Sequence, residues 1–242
     1  MKLDILAFGV HPDDVELSCS GTLMVEKKNG KKVGIVDLTR GELGTRGTAK
    51  TRKEEAAAAA KILGVDLREN LGIADGFFKN DEEHQRKVIT VIRKYQPEIV
   101  ICNAPADRHP DHGRSADLVY AASFLAGLVK IKTKDKEGDQ KPWRPKYVFN
   151  YIQDRYYKPD FIVDVSAVFD KKLQAIKAYK TQFYDPNSKE PETYISSPEF
   201  LESIKYRAKL LGKQVGVKYA EGFISQKMIA IRNFDAFILN NT

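Results

Sequence analysis

Residues 3–14 read LDILAFGVHPDD. The apolar run Leu3 to Val10 is bounded by a polar cluster, which is the pattern of a buried strand. The tetrad His11-Pro12-Asp13-Asp14 then falls at that strand's carboxyl end. An imidazole and two carboxylates within four residues repel and desolvate one another unless something positive sits among them, and a divalent metal is the simplest candidate. With His11 and Asp14 aimed at one point, Asp13 is left as a neighbouring carboxylate free to move a proton. The tetrad also reads as a helix-capping Asp with a surface His beside it.

A second cluster, Asp107-Arg108-His109-Pro110-Asp111-His112-Gly113, again follows an apolar run, Ile99 to Cys102, and again contains His-Pro-Asp. The chain has four histidines, and three of them, His11, His109 and His112, lie in these two segments. Loops at the carboxyl ends of neighbouring strands in an open α/β sheet share one crevice, so both clusters can face one site. One His, one Asp and one His make a three-ligand metal site with an open position, the pattern of catalytic zinc.

Strands alternate with helices up to about residue 128, which predicts a Rossmann-like, doubly wound, mostly parallel α/β sheet with helices on both faces. Lys32 to Leu38 is expected to be a strand, and Thr39 to Thr48 a glycine-rich loop at its binding end. The alanine-rich stretch Lys50 to Leu63 predicts a helix stopped by Gly64, with Arg52 in its first turn, where a cation opposes the helix dipole. Asn80 to Tyr95 predicts a helix capped by Asn80, with His84 on its surface. A further helix is expected over Asp117 to Leu128, a charged mobile insertion over 132–145, and a final strand over Lys227 to Arg232.

The 242 residues predict one domain, 1–242. No apolar stretch approaches a membrane span, and the first apolar run is too short and too soon charged for a secretory signal, so the expectation is a cytoplasmic protein without a membrane partner. Cys19 and Cys102 are too few for a disulfide framework. The net charge of +7 raises nucleic acid as a partner, but the lysines are scattered and interleaved with acids. A small anionic substrate fits the same surplus, and a basic non-enzymatic binding protein remains the alternative outside enzymes.

HPDD and RHPDHG together resemble the metal-dependent sugar N-deacetylases of the PIG-L or LmbE-like family. VGIVDLTRGELGTRGT, ENLGIADGF, DRHPDHGR and KTQF at Lys180 to Phe183 are similar to the bacillithiol-biosynthesis branch, which deacetylates N-acetylglucosaminyl-malate. The resemblance implies one zinc ion on His11, Asp14 and His112, with Asp13 as general base and His109 meeting the charge that develops on the substrate carbonyl. It implies substrate contacts from Glu42, Arg52, Asp75 and Arg108, and an oxyanion contact from Tyr194. It also implies a homo-oligomer, with a hexamer among the expected forms. Ser18, Ser20 and Ala220 stand where relatives often have glycine. Another N-acetylglucosamine conjugate or a chito-oligosaccharide is the alternative substrate, and ester or phosphoester hydrolysis the rival chemistry.

Overall fold

A computed structural model describes residues 1–238. The first strand, β1 (Ile5–Gly9), is buried throughout and leads into a short helix, α1 (Asp14–Ser18), and then α2 (Ser20–Lys28). After β2 (Val33–Thr39), α3 (Ala49–Leu63) begins at Thr48, whose side chain and Thr51 cap each other, and ends at Gly64 with φ 71°. That left-handed stop is where glycine is favoured. Next come β3 (Leu67–Ile73), α4 (Glu82–Tyr95) and β4 (Ile99–Cys102). The cap of α4 is Asp81, which accepts from the His84 N–H, rather than Asn80; the side chain one residue on reaches the exposed amide.

The helix after β4, α5 (Pro110–Leu125), starts seven residues earlier than Asp117. Proline is suited to a first helical position because its missing N–H is unsatisfied there anyway, and His109 caps the turn through its ring. The second cluster is therefore the start of a helix. The insertion at 132–145 holds a small hairpin, β5 (Lys134–Asp135) and β6 (Gly138–Asp139). It is tied down by Arg93, which donates to the Ile131 carbonyl and Thr133 Oγ1, and by Gln140, which donates to the Thr90 carbonyl.

The remaining elements are β7 (Tyr147–Tyr151), β8 (Phe161–Asp164), α6 (Phe169–Lys177), α7 (Pro198–Val215) and β9 (Ala220–Ser225). The last strand thus lies before Lys227, and 227–232 has no regular structure. Alternation of apolar residues in KMIAIR imitates a strand, but pairing decides, and Ala220–Ser225 is the segment with partners on both edges.

The sheet order is β3-β2-β1-β4-β7-β9-β8, parallel as far as β7 and antiparallel on both sides of β9. Helices cover both faces. One core contains Leu23, Ala59, Ile176 and Phe223, and the other Phe8, Ile92, Leu118 and Val119. Strand order reverses between β1 and β4, so their carboxyl ends open side by side into the crevice where such sheets bind ligands. No helix among the described residues is long and apolar enough to cross a membrane.

Two buried polar clusters lie beneath that crevice. Glu221 on β9 accepts from the Gly21 and Thr22 amides and Thr22 Oγ1 at 2.7–2.9 Å, and pairs with Lys172. It supplies the cap that α2 lacks from its own side chains. Arg68 on β3 makes two 2.9 Å bonds to Asp37 and a further one to Glu16. Each member of that trio is nearly inaccessible.

Candidate active site

A cavity of about 330 Å³ opens at the switch point, lined by the first loop, the Gly41–Arg46 loop, the start of α5, and the segments after β7 and before α7. His11, Asp13, Asp14, His109 and His112 all reach it. The two motifs are thus brought together. The His11 and His112 ring centroids are 5.9 Å apart, and those of His109 and His112 are 5.4 Å apart.

Asp14 is the hub. Its Oδ2 lies 3.8 Å from His11 Nδ1 and its Oδ1 3.3 Å from His112 Nε2. The opposite ring nitrogens are engaged elsewhere: His11 Nε2 is 2.9 Å from Asp75 Oδ1, and His112 Nδ1 is 2.6 Å from Asp107 Oδ2. A neutral imidazole that gives its proton to the outer carboxylate turns a lone pair toward Asp14. Two lone pairs and a carboxylate then lie side by side, an arrangement that a bound cation, or protons on the rings, would reconcile. The donor set, two nitrogens and an oxygen, suits zinc or a similar divalent ion. Among the described residues the trios with ligand atoms mutually within 4.8 Å are His11 with His109 and His112, and His11 with Asp75 and Asp111; the expected set of His11, Asp14 and His112 is not drawn together that tightly. In the second, Asp111 is already compensated by Arg114 at 2.6 Å and the Gly76 amide.

Burial would raise Asp14, but His112 and His11 hold it well below the usual carboxylate range. Burial would lower His112, yet Asp14 and Asp107 raise it to about 10. Asp14 is further fixed by the amides of Asn103, at 3.0 Å, and Gln153, at 2.8 Å. Neither was singled out from the sequence, because their partners lie 89 and 139 residues away.

Asp13 stands apart from this hub. Its backbone φ of 117° is rare for a residue with a side chain, and such strain is typical of functional turns. Burial pushes its pKa up to about 7, against the pull of Arg52. Arg52 Nη2 bonds to Asp13 Oδ2 at 3.2 Å and to the Pro12 carbonyl. Its Nε has no partner, and the guanidinium packs under Gly41, where any Cβ would approach it to 3.2 Å. His109 Nδ1 accepts the Asp111 amide at 3.2 Å, so the neutral ring carries its proton on Nε2. Burial and the neighbouring His11 and His112 lower its pKa and keep it neutral.

The other expected residues divide. Arg108 and Tyr194 reach the cavity mouth, where the guanidinium lies 4.3 Å from the ring centroid and the Tyr194 hydroxyl donates to Asp154 at 2.9 Å. Asp75 lines the cavity, but both its oxygens are taken, by His11 and the Leu43 amide. Glu42 does not line it; its carboxylate accepts the Arg40 and Asp75 amides and shapes the loop behind. The sequence reading did not single out buried Arg46, which lines the same cavity, and its only signal there was a charge among glycines. KTQF has a structural part: Thr181 bonds Glu55 through its amide and hydroxyl, and Gln182 holds the Arg46 carbonyl.

A mostly parallel sheet with a carboxylate–imidazole cluster in the crevice at its switch point is the architecture of α/β proteins that bind ligands at that crevice. The PIG-L family, described as GlcNAc-PI de-N-acetylase, matches residues 6–123. Diacetylchitobiose deacetylase of Thermococcus kodakarensis is 31% identical over 229 residues, 90% of this chain and 81% of that protein. The chain belongs to the PIG-L family. The crystal structure of the conserved protein TT1542 from Thermus thermophilus superposes with a TM-score of 0.84 at 37% identity, covering 95% of this chain and 98% of that one. 4-Oxalmesaconate hydratase of Pseudomonas putida is 28% identical over 73% of each chain. A probable N-acetyl-alpha-D-glucosaminyl L-malate deacetylase 2 of Bacillus subtilis is 26% identical over 75% of this chain and 84% of that protein.

Proposed function

We propose that the protein is a divalent-metal-dependent hydrolase that removes the N-acetyl group from a carboxylate-bearing N-acetylglucosamine conjugate, with N-acetylglucosaminyl-malate the best candidate. The observation that carries this reading is the split between neighbouring carboxylates: Asp14 is shared by two imidazoles, while Asp13 pairs with Arg52 and bonds to neither ring. A general base works best with a pKa near the working pH. Relatives named as deacetylases of N-acetylglucosamine compounds support the reading.

His11, Asp14 and His112 would hold the ion. A divalent ion there polarises the amide carbonyl and makes a water acidic enough to attack near neutral pH. Asp13 takes the proton of the attacking water and later returns it to the leaving amine. His109 Nε2–H donates to the carbonyl oxygen as negative charge develops on it, a placed donor of the kind that stabilises oxyanions. Arg52 keeps Asp13 oriented through Nη2, and Nη1, which makes no hydrogen bond among the described residues, faces the cavity wall near Gly44. With Arg46, Arg108 and Arg207 it gives the cavity four guanidinium groups, suited to carboxylates because the planar fork can bind both oxygens.

Acetate release is the deciding measurement, with N-acetylglucosaminyl-malate compared with diacetylchitobiose, with and without a chelator. Preference for the malate conjugate supports the reading, and preference for diacetylchitobiose moves the substrate to chito-oligosaccharides. A second reading, water addition to a carbon–carbon double bond of a polycarboxylate, is favoured by the same four arginines and by the hydratase relative. It predicts no acetate from either sugar.

A further inference from the structure

The two imidazoles that face Asp14 are held in mirrored fashion. His11 presents Nδ1 inward and gives Nε2 to Asp75; His112 presents Nε2 inward and gives Nδ1 to Asp107. In each carboxylate the second oxygen is occupied by a backbone amide of another loop, Leu43 for Asp75 and Arg155 for Asp107. The Asp75 side chain is 5% exposed and that of Asp107 is 0% exposed. Neither oxygen pair is left to greet a substrate.

We propose that Asp75 and Asp107 are positioning residues, each fixing the tautomer and ring plane of one metal-binding histidine so that the two inner nitrogens meet the Asp14 carboxylate. The inference rests on the reading of this centre as a divalent-cation site. A carboxylate on the outer nitrogen locks the proton there, removes the rotational freedom of the ring, and strengthens the inner nitrogen as a donor. The arrangement also couples two walls of the cavity to the ion. The Leu43 amide belongs to the glycine-rich loop after β2 and the Arg155 amide to the segment after β7, so each wall is pinned by the carboxylate that orients a histidine. The alternative, in which Asp75 is itself a ligand with Asp111 and His11, makes a different forecast for Asp14.

The test uses full-length protein stripped of metal, titrated with Zn2+ by calorimetry and with Co2+ by visible absorption. One ion per wild-type chain is the starting requirement; without it both the functional reading and this inference fall. Asp75→Asn and Asp107→Asn keep shape and one acceptor oxygen. Each is expected to retain one site, to weaken Zn2+ by about ten- to a hundred-fold, and to change the Co2+ band, with a metal-free melting temperature close to wild type. Wild-type affinity and an unchanged band in both variants overturn the inference while leaving the functional reading intact. So does a lowered melting temperature with wild-type affinity, which is the signature of a purely structural role. Abolished binding in Asp75→Asn together with normal binding in Asp14→Asn overturns it in favour of the His11, Asp75 and Asp111 trio.

Discussion

Arg52 Nη2 lies 3.2 Å from Asp13 Oδ2, within the wall of the cavity onto which both residues open. The cation expected from its position in the first turn of α3 to recognise substrate thus also touches Asp13, the proposed base. Two duties would then fall on one guanidinium, and they separate by substrate. Hydrogen bonds to charged groups contribute about 1.5 to 3 kcal/mol. Arg52→Ala is therefore expected to lower kcat/KM on every conjugate through Asp13, and by a further ten- to a hundred-fold or so on a malate conjugate. Equal losses on charged and uncharged conjugates would leave Arg52 with the catalytic duty alone.

Asp13→Asn is expected to fold and to bind metal like wild type, because asparagine tolerates the positive φ that the turn demands. Turnover should fall by roughly a hundred- to ten-thousand-fold, the usual contribution of a general base. Asp14→Asn should weaken the metal itself. Metal titration and initial rates on both variants check the division, and identical behaviour in the two assays would dissolve it.

His112→Ala is expected to lose most of the bound metal and nearly all activity. The variant removes a nitrogen 3.3 Å from Asp14 and leaves Asp107 buried without its imidazole. Elemental analysis of the purified variant reads the result, and full metal content would remove His112 from the ligand set.

Arg68→Met should destabilise the protein without touching the cavity. It strands Glu16 and Asp37, both almost fully buried, as uncompensated carboxylates. Breaking a buried pair in this way costs about 3–5 kcal/mol. Urea denaturation at neutral pH measures it, and a loss under about 1 kcal/mol would mean that water reaches the network.

Gln96→Gly is expected to stabilise. Gln96 ends α4 with φ 46°, ψ 50°, the left-handed conformation that costs a side-chain-bearing residue roughly 1–2 kcal/mol. Part of the gain is offset by glycine's greater freedom when unfolded, leaving about 0.5–1 kcal/mol and a rise of roughly 1–4 °C in Tm. A thermal scan suffices, and a fall in Tm would show that the Gln96 side chain contributes more than its backbone strain costs.

The convergence of the two histidine motifs on one cavity was legible because the motifs are short and each follows an apolar strand. Bounded apolar runs placed β1 and β2, and alanine content with the Gly64 stop placed α3, to within a residue or two. The start of α5 was missed because a histidine acting as cap is uncommon, although Pro110 in first position was a readable sign. Asp75 and Glu42 were expected at the substrate; Asp75 lines the cavity with its oxygens bonded to His11 and the Leu43 amide, and Glu42 lies behind it on the Arg40 and Asp75 amides. Nothing local in the sequence shows such partners. Asn103, Gln153 and Asp107 were invisible as partners for a related reason, since their roles exist only once β4 and β7 stand beside β1.

The carboxylate of Glu221 closes the amide end of α2, 200 residues upstream. During synthesis the helix that follows the first motif is therefore made early and finished last. Until residue 221 has left the ribosome, the Gly21 and Thr22 amides lack their carboxylate, and the short helix carrying Asp14 rests on an unfinished neighbour. Contacts of such long span are slow to form and leave the nascent chain exposed meanwhile. A chain released short of β9 would carry both histidine motifs and still lack the brace beneath them.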